Sequence, residues 1–286
     1  METQFIVSTL LPLSLAIIML GFGLALTPAD FARVLKYPKS VLVGLLCQMI
    51  LLPALGVVIC KVFNFPPELA VGLMILAASP GGITANIFSH LSHGDIALNL
   101  TLTALNSVLA AFTLPLFVNL SIAHFMGTDQ SIGLQFQKTI EVFMVVLVPV
   151  VIGMGLRHWK PILAVKADKP VRIFSMLILV VLIVGAIGKE RAQMAESFAQ
   201  IGWAMLLFNL ASMAVGYVVP LALKLRHQEA TAISMEVGVH NGTLALYIAM
   251  SVLGSFTLAL PAAVYSVIMF ITAAGFSMIL AKKNKA

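Results

Sequence analysis

Charge is what this chain has least of: only 10% of its 286 residues are Asp, Glu, Lys or Arg. Soluble domains carry about 25%, so a freely solvated globular surface is excluded. Hydrophobic residues make up 60%, and the mean hydropathy is +1.06. That is the composition of a polytopic membrane protein. Acidic residues are the scarcer sign, 11 against 17 basic ones. The basic residues sit between apolar runs and not in one patch, which excludes a nucleic-acid footprint. Cysteine is limited to two residues. Cys47 and Cys60 fall in one predicted helix about 20 Å apart, too far for a bridge within it. Both read as packing residues. A basic stretch ahead of the first apolar run is also lacking, with Glu2 in its place, so that run reads as a retained span and not a leader.

Long apolar runs are what the chain has instead. Nine membrane helices are predicted, at about 5–26, 39–61, 68–91, 96–122, 138–157, 171–188, 199–222, 229–253 and 259–281. Each is near the ~20 residues that cross ~30 Å of hydrocarbon. The loops are short, so 1–286 reads as one all-α integral membrane unit. One set of loops holds Arg33, Lys36, Lys39, Arg157, Lys160, Lys166, Lys169, Arg172, Lys224, Arg226, Lys282, Lys283 and Lys285; the opposite set holds only Lys61, Lys138, Lys189 and Arg191. The positive-inside rule places the first set in the cytoplasm, the N-terminus outside and the C-terminus inside.

One residue breaks the apolar pattern at depth. Glu236 lies in Ala232-Ile-Ser-Met-Glu-Val-Gly-Val-His-Asn-Gly-Thr243, and a carboxylate at bilayer depth costs roughly 2.5–3.5 kcal/mol on insertion scales. Such a group faces a cavity or a cation. Gly238, His240, Asn241 and Gly242 favour a broken helix around it. A second interrupted segment, Pro80-Gly81-Gly82-Ile83-Thr84-Ala85-Asn86, lies in the third span. Five spans separate the two, so they cross in opposite directions, as an inverted-topology repeat requires. Gln48 in span two and Asn209 in span seven are lone amides in the same relation. With nine spans, the first repeat lacks one helix.

Half-helices resuming after each break point their N-termini toward the midplane, where free N–H groups suit an organic anion. Unwound carbonyls and Glu236 suit a hard cation such as Na⁺. Asn99, Thr103 and Asn106 share one face of span four, with Ser107 on its flank. Their oxygens fit a cation site beside Asn86, while interhelical bridging accounts equally well for Asn106 alone. His90, His93, His124, His158 and His227 fall at span ends or in loops; His240 falls inside the break, where it lines a cavity, takes a proton or bonds a freed carbonyl. His-Glu-x-x-His and Gly-x-Ser-x-Gly are missing, and so is a second acid to pair with Glu236. The reading is a transporter, not an enzyme, and no feature points to a protein partner.

At these residues the chain resembles the bile acid:sodium symporter family across most of its length. The likeness is carried by Gly21-Phe-Gly-Leu-Ala-Leu-Thr-Pro-Ala-Asp30-Phe31, by Gln48 with Pro53, by Pro80 to Asn86 with His93-Gly94-Asp95, and by Glu236-Val-Gly-Val-His-Asn241. The resemblance implies two crossing broken helices in a core (about 39–122 and 199–281) and a smaller panel (about 5–26 and 138–188). It implies import of an organic anion, bile-acid-like or smaller, driven by two Na⁺ ions across the cell's inner membrane. It assigns Asn86, Asn99, Thr103 and Glu236 to one Na⁺ site, and Gln48, Glu236 and the carbonyls of Val237 and Val239 to the other. Thr84, His240 and Asn241 then line the substrate cavity. The chain departs from the family at Ala85, where Ser is usual, at Asn99, where Ser is common, and at His240, where Gln is usual. Those changes keep a proton-coupled or uncoupled carrier on the same fold as the alternative.

Overall fold

The computed structural model describes residues 6–127, 136–167, 170–171, 173–174, 177 and 191–284. The predicted sixth span, 171–188, lies largely outside the described residues, as do Lys169, Arg172 and Lys189. Within the described residues the chain is helical, and six helices are long and apolar enough to span a bilayer. Large apolar side chains lie exposed along them, among them Leu42, Val151, Trp203 and Ile271. Exposed apolar surface on that scale belongs in lipid and not in water. The protein is a multi-pass membrane protein.

The elements follow the apolar runs. A π-helical turn, Ile6–Leu10, leads into α1 (Leu11–Ala25); α2 (Pro28–Ala32) is a short turn after it. Span two is α3 (Pro38–Leu46), a π-helical turn at Cys47–Leu51, and α4 (Leu52–Val62). Its irregularity has a covalent cause: Pro53 has no N–H for the carbonyl one turn back, and the ladder widens there. Gln48 sits in the widened turn. The third span is two pieces, α5 (Pro67–Ala78) and α6 (Ile83–Leu91), followed by the 30-residue α7 (Ile96–Phe125). Then come α8 (Phe136–Trp159) and α9 (Arg191–Ala222). The eighth predicted span is again two pieces, α10 (His227–Gly238) and α11 (Gly242–Tyr247), the latter extended by a π-helical turn at Ile248–Val252. α12 (Leu260–Asn284) ends the described chain.

α5 and α10 are each 12 residues long, about 18 Å at 1.5 Å per residue. Each therefore ends near the middle of a ~30 Å hydrocarbon layer. Two groupings organise the packing. α1 runs along α8, while α5, α7, α9, α10 and α12 pack on one another around the two interrupted helices. The first contact is close because it is built on glycine: a Cβ on Gly153 would meet the backbone of Leu20 and Gly23, and one on Gly23 the backbone of Val150. Small residues allow such approach where lipid supplies no hydrophobic drive. Across the two groupings, the Tyr247 hydroxyl donates to Glu141 on α8 at 3.1 Å, and Lys138 donates to the Val252 carbonyl.

Candidate functional site

Both interruptions are dictated locally. Ser79 is extended (ψ 140°) ahead of Pro80, and α6 restarts after Gly82. On the other side α10 ends at Gly238, Val239 is extended, and the Asn241 side chain caps α11 by accepting from the Leu244 N–H at 3.1 Å. The opened backbones pair with each other. The Gly82 N–H donates to the Val239 carbonyl at 3.0 Å, the Asn241 N–H donates to the Pro80 carbonyl at 2.9 Å, and Gly81 and His240 form an antiparallel bridge. Irregular backbone at membrane depth is tolerated only when its polar groups are satisfied within the protein, and here each break satisfies the other.

Glu236, fully buried two residues before the end of α10, lies beside this crossing. Thr103 donates to its Oε2 at 2.6 Å and Asn106 to its Oε1 at 2.9 Å, both from α7. The Gly81 backbone N–H faces the same carboxylate. A Cβ on Gly81 would collide with that carboxylate, whereas one on Gly82 would meet only the His240 carbonyl and the Thr84 hydroxyl at 3.4 Å. Only glycine fits the first position.

Amides surround the acid in one repeated arrangement. Asn86 donates through Nδ2 to the Thr103 hydroxyl at 3.3 Å, and Asn99 through Nδ2 to the Ala232 carbonyl at 2.8 Å. Gln48 donates through Nε2 to the Ser79 carbonyl at 2.9 Å, and Asn106 through Nδ2 to Glu236. All four nitrogens are engaged. All four amide oxygens, Gln48 Oε1, Asn86 Oδ1, Asn99 Oδ1 and Asn106 Oδ1, are buried without a hydrogen-bond donor. A buried acceptor left unpaired costs about 1–3 kcal/mol; Asn106 touches Glu236 directly, Asn86 reaches it through Thr103, and Gln48 shares a small cavity with Asn106.

His240 approaches from the crossing. Its Nδ1 lies 3.1 Å from the Ser79 carbonyl, the acceptor that Gln48 also uses, and its ring packs at 5.4 Å against Tyr265. The Val239 carbonyl, expected as a ligand of the second ion, accepts from the Gly82 N–H through one of its two lone pairs. At the crossing is a cavity of about 70 Å³, lined by Gly81, Gly82, Thr84, Ser107, His240, Asn241 and Thr243. Its far wall is apolar, from Met19 and Phe22 of α1 and Met269 and Phe270 of α12. Thr84, His240 and Asn241 thus line one cavity, and Thr103 bonds Glu236 and Asn86, with Asn99 one turn before it on α7. α7 serves both faces, turning Asn106 to Glu236 and Ser107 to the cavity.

Sequence reasoning gave Asn106 no firm role, although its spacing from Thr103 already placed it on the right face. It also did not anticipate that Gln48 and His240 meet at one carbonyl, which no spacing rule encodes.

Comparison with known proteins identifies the family. Residues 12–197 match the model of the Sodium Bile acid symporter family. A chloroplastic protein of Arabidopsis thaliana described as a probable sodium/metabolite cotransporter, BASS1, is 32% identical over 88% of this chain and 62% of its own length. An uncharacterized sodium-dependent transporter of Bacillus subtilis, YocS, is 26% identical over 91% of this chain and 79% of its own. The P3 protein of Homo sapiens is 28% identical over 79% and 47%. The chain spans about three fifths of the length of the chloroplastic relatives. The Arabidopsis thaliana and Bacillus subtilis relatives are described as transporters, not enzymes. With the family model covering well over half of its residues, the chain belongs to the sodium bile acid symporter family.

Proposed function

We propose that the chain is a secondary transporter of the inner membrane that carries a small organic anion together with Na⁺. One observation supports this reading above the rest: the four buried amide oxygens around Glu236, each with its nitrogen engaged elsewhere. Na⁺ is a cargo that needs oxygen ligands and no donors, and this cluster supplies both the charge and the oxygens. Asn86, Asn99, Thr103 and Glu236 hold one ion; Gln48 and Glu236 contribute to a second, with the Val237 carbonyl beside them. His240 stands where that second site would gain another amide oxygen, so the second ion is held more weakly than the first.

The organic anion occupies the cavity at the crossing. At about 70 Å³ it has room for several waters at the ~10–15 Å³ each requires. A short carboxylate with an apolar tail matches its polar and apolar walls. Hydroxyls of Thr84, Thr243 and Ser107 face the carboxylate, and the α1 and α12 side chains face the tail. The two broken helices form an inverted repeat in a nine-span chain with the N-terminus outside. Alternating access follows from rocking of the α1–α8 panel against the core, with the Tyr247–Glu141 and Lys138–Val252 contacts as the bonds that change.

Uptake of radiolabelled short monocarboxylates into liposomes holding the purified chain tests this. An inward Na⁺ gradient should drive accumulation, and Glu236→Gln should reduce it to background. Accumulation that ignores Na⁺ and follows a pH gradient would replace this reading with the proton-coupled one, for which His240 at the Ser79 carbonyl is the supporting observation.

A further inference from the structure

A groove of about 500 Å³ opens on the side of the molecule, away from both sites described so far. Its walls are the Met49-to-Lys61 stretch of span two and the Phe117-to-Phe125 stretch of α7, with Met74 of α5 at its floor. Ile50 and Leu120 at its edges are more than half exposed. The groove therefore opens sideways into hydrocarbon and not toward water.

Its chemistry changes at one end. Lys61 lies in the last turn of α4 and His124 in the last turn of α7, so both mark the same end of their spans. Both are exposed and line the groove. Neither makes an ion pair among the described residues. A cation and an imidazole N–H thus stand at headgroup depth above an apolar trough. That arrangement matches a molecule with an anionic head and a long apolar tail lying along the span.

The trough owes its shape to the irregular helix beneath it. Pro53 and the widened turn at Cys47–Leu51 remove a regular ridge from span two, and Met49 and Pro53 line the hollow. Met49, Pro53 and Phe117 also line a second, smaller cavity that reaches Gln48, Pro80 and Asn106. The deep end of the groove is therefore separated from the amide cluster by one layer of side chains.

We propose that this groove binds an anionic phospholipid, its phosphate held by Lys61 and His124 and one acyl chain laid against Met49, Pro53 and Phe117. Charge complementarity at the head and the apolar, laterally open walls together select this occupant over a soluble anion or a neutral lipid. The proposal needs only the membrane-spanning fold and stands whether or not Na⁺ is the coupling ion.

Native mass spectrometry of the detergent-purified full chain provides the test, with dioleoyl-phosphatidylglycerol and dioleoyl-phosphatidylcholine as competing probes. One tightly retained phosphatidylglycerol is expected, preferred over phosphatidylcholine by about fivefold for each cation at headgroup depth. Lys61→Ala with His124→Ala should erase that preference. Ala54→Phe, an exposed position on α4 within the groove, should lower retention of both lipids with Lys61 intact. Equal retention of the two lipids by the wild-type chain overturns the proposal. So does a preference that survives the double substitution, or undiminished retention by Ala54→Phe.

Discussion

The two interrupted helices use the same local device and end in different chemistry. Each half-helix stops at a carbonyl near the membrane centre, and each of those carbonyls takes a side-chain amide: Ser79 from Gln48, Gly238 from Asn209. Beyond that point they diverge. The Asn209 amide is closed, because its oxygen accepts from Thr272 and its nitrogen also reaches the Tyr265 hydroxyl, which itself donates to Gly238. The Gln48 amide is half open, with Oε1 buried and unpaired. One amide is structural glue, and the other keeps an oxygen in reserve. A buried polar network that is fully satisfied rigidifies a core, whereas one left short of donors is a place for a ligand. That difference supports the proposed placement of the cation near Gln48, Asn106 and Glu236.

The largest effect should come from Glu236, the only charge at the crossing among the described residues. Glu236→Gln should abolish Na⁺-dependent uptake while the protein still folds, read by size-exclusion profile and transport together. Retained uptake would remove the acid from the mechanism.

Next is a glycine pair that differs by one position. Gly81→Ala drives a methyl into the Glu236 carboxylate, and overpacking of this kind costs about 1–3 kcal/mol. Gly82→Ala meets its neighbours at 3.4 Å and should transport at near wild-type rate. Thermal melts and uptake on both variants check the contrast, and equal behaviour would mean that the Gly81 contact does not matter.

The amide pair should separate two readouts. Gln48→Leu should weaken the response to Na⁺ by about tenfold, the worth of a charge-assisted contact near 1.4 kcal/mol, with little change in melting temperature. Asn209→Leu removes its hydrogen bonds to the Gly238 carbonyl, the Tyr265 hydroxyl and the Thr272 hydroxyl, each worth about 0.5–1.5 kcal/mol net. It should lower the melting temperature by several degrees and leave the Na⁺ response of the folded protein unchanged. Identical profiles for the two variants would erase the distinction between open and closed amides.

The smallest effect should come from His240→Gln. It returns an amide oxygen to the second ion's surroundings, and a severalfold gain in apparent Na⁺ affinity is expected in the same assay. A loss of affinity would instead make the imidazole a necessary part of the site.

Much of this was legible in the sequence because the bilayer penalises polar groups so steeply. Glu236 and the Pro80-Gly81-Gly82 run stand out against apolar surroundings, and the spans predicted between them lead to the expectation of opposite directions. The Asn99–Thr103–Asn106 face followed from helical spacing alone. What stayed hidden was the direction in which each amide points. Gln48 and Asn209 look alike as letters, and only the placement of Thr272 and Tyr265 makes one closed and the other open. The antiparallel pairing of the breaks was hidden for the same reason, since hydrogen bonds such as Asn241 to Pro80 join residues that sequence separation says nothing about. The π-helical turn under Gln48 could be traced to Pro53 only with the backbone in view.

The central claim is that the open amide oxygens and Glu236 together hold Na⁺, and it can be tested without knowing the organic substrate. Thermal unfolding of the purified chain should be followed against increasing NaCl, with KCl at equal ionic strength as control. A ligand that binds only the folded state raises stability in proportion to the logarithm of its concentration. The melting temperature should rise with Na⁺ and not with K⁺, and Glu236→Gln should abolish the rise. Equal shifts for the two salts, or a Na⁺-specific shift that survives Glu236→Gln, would contradict it.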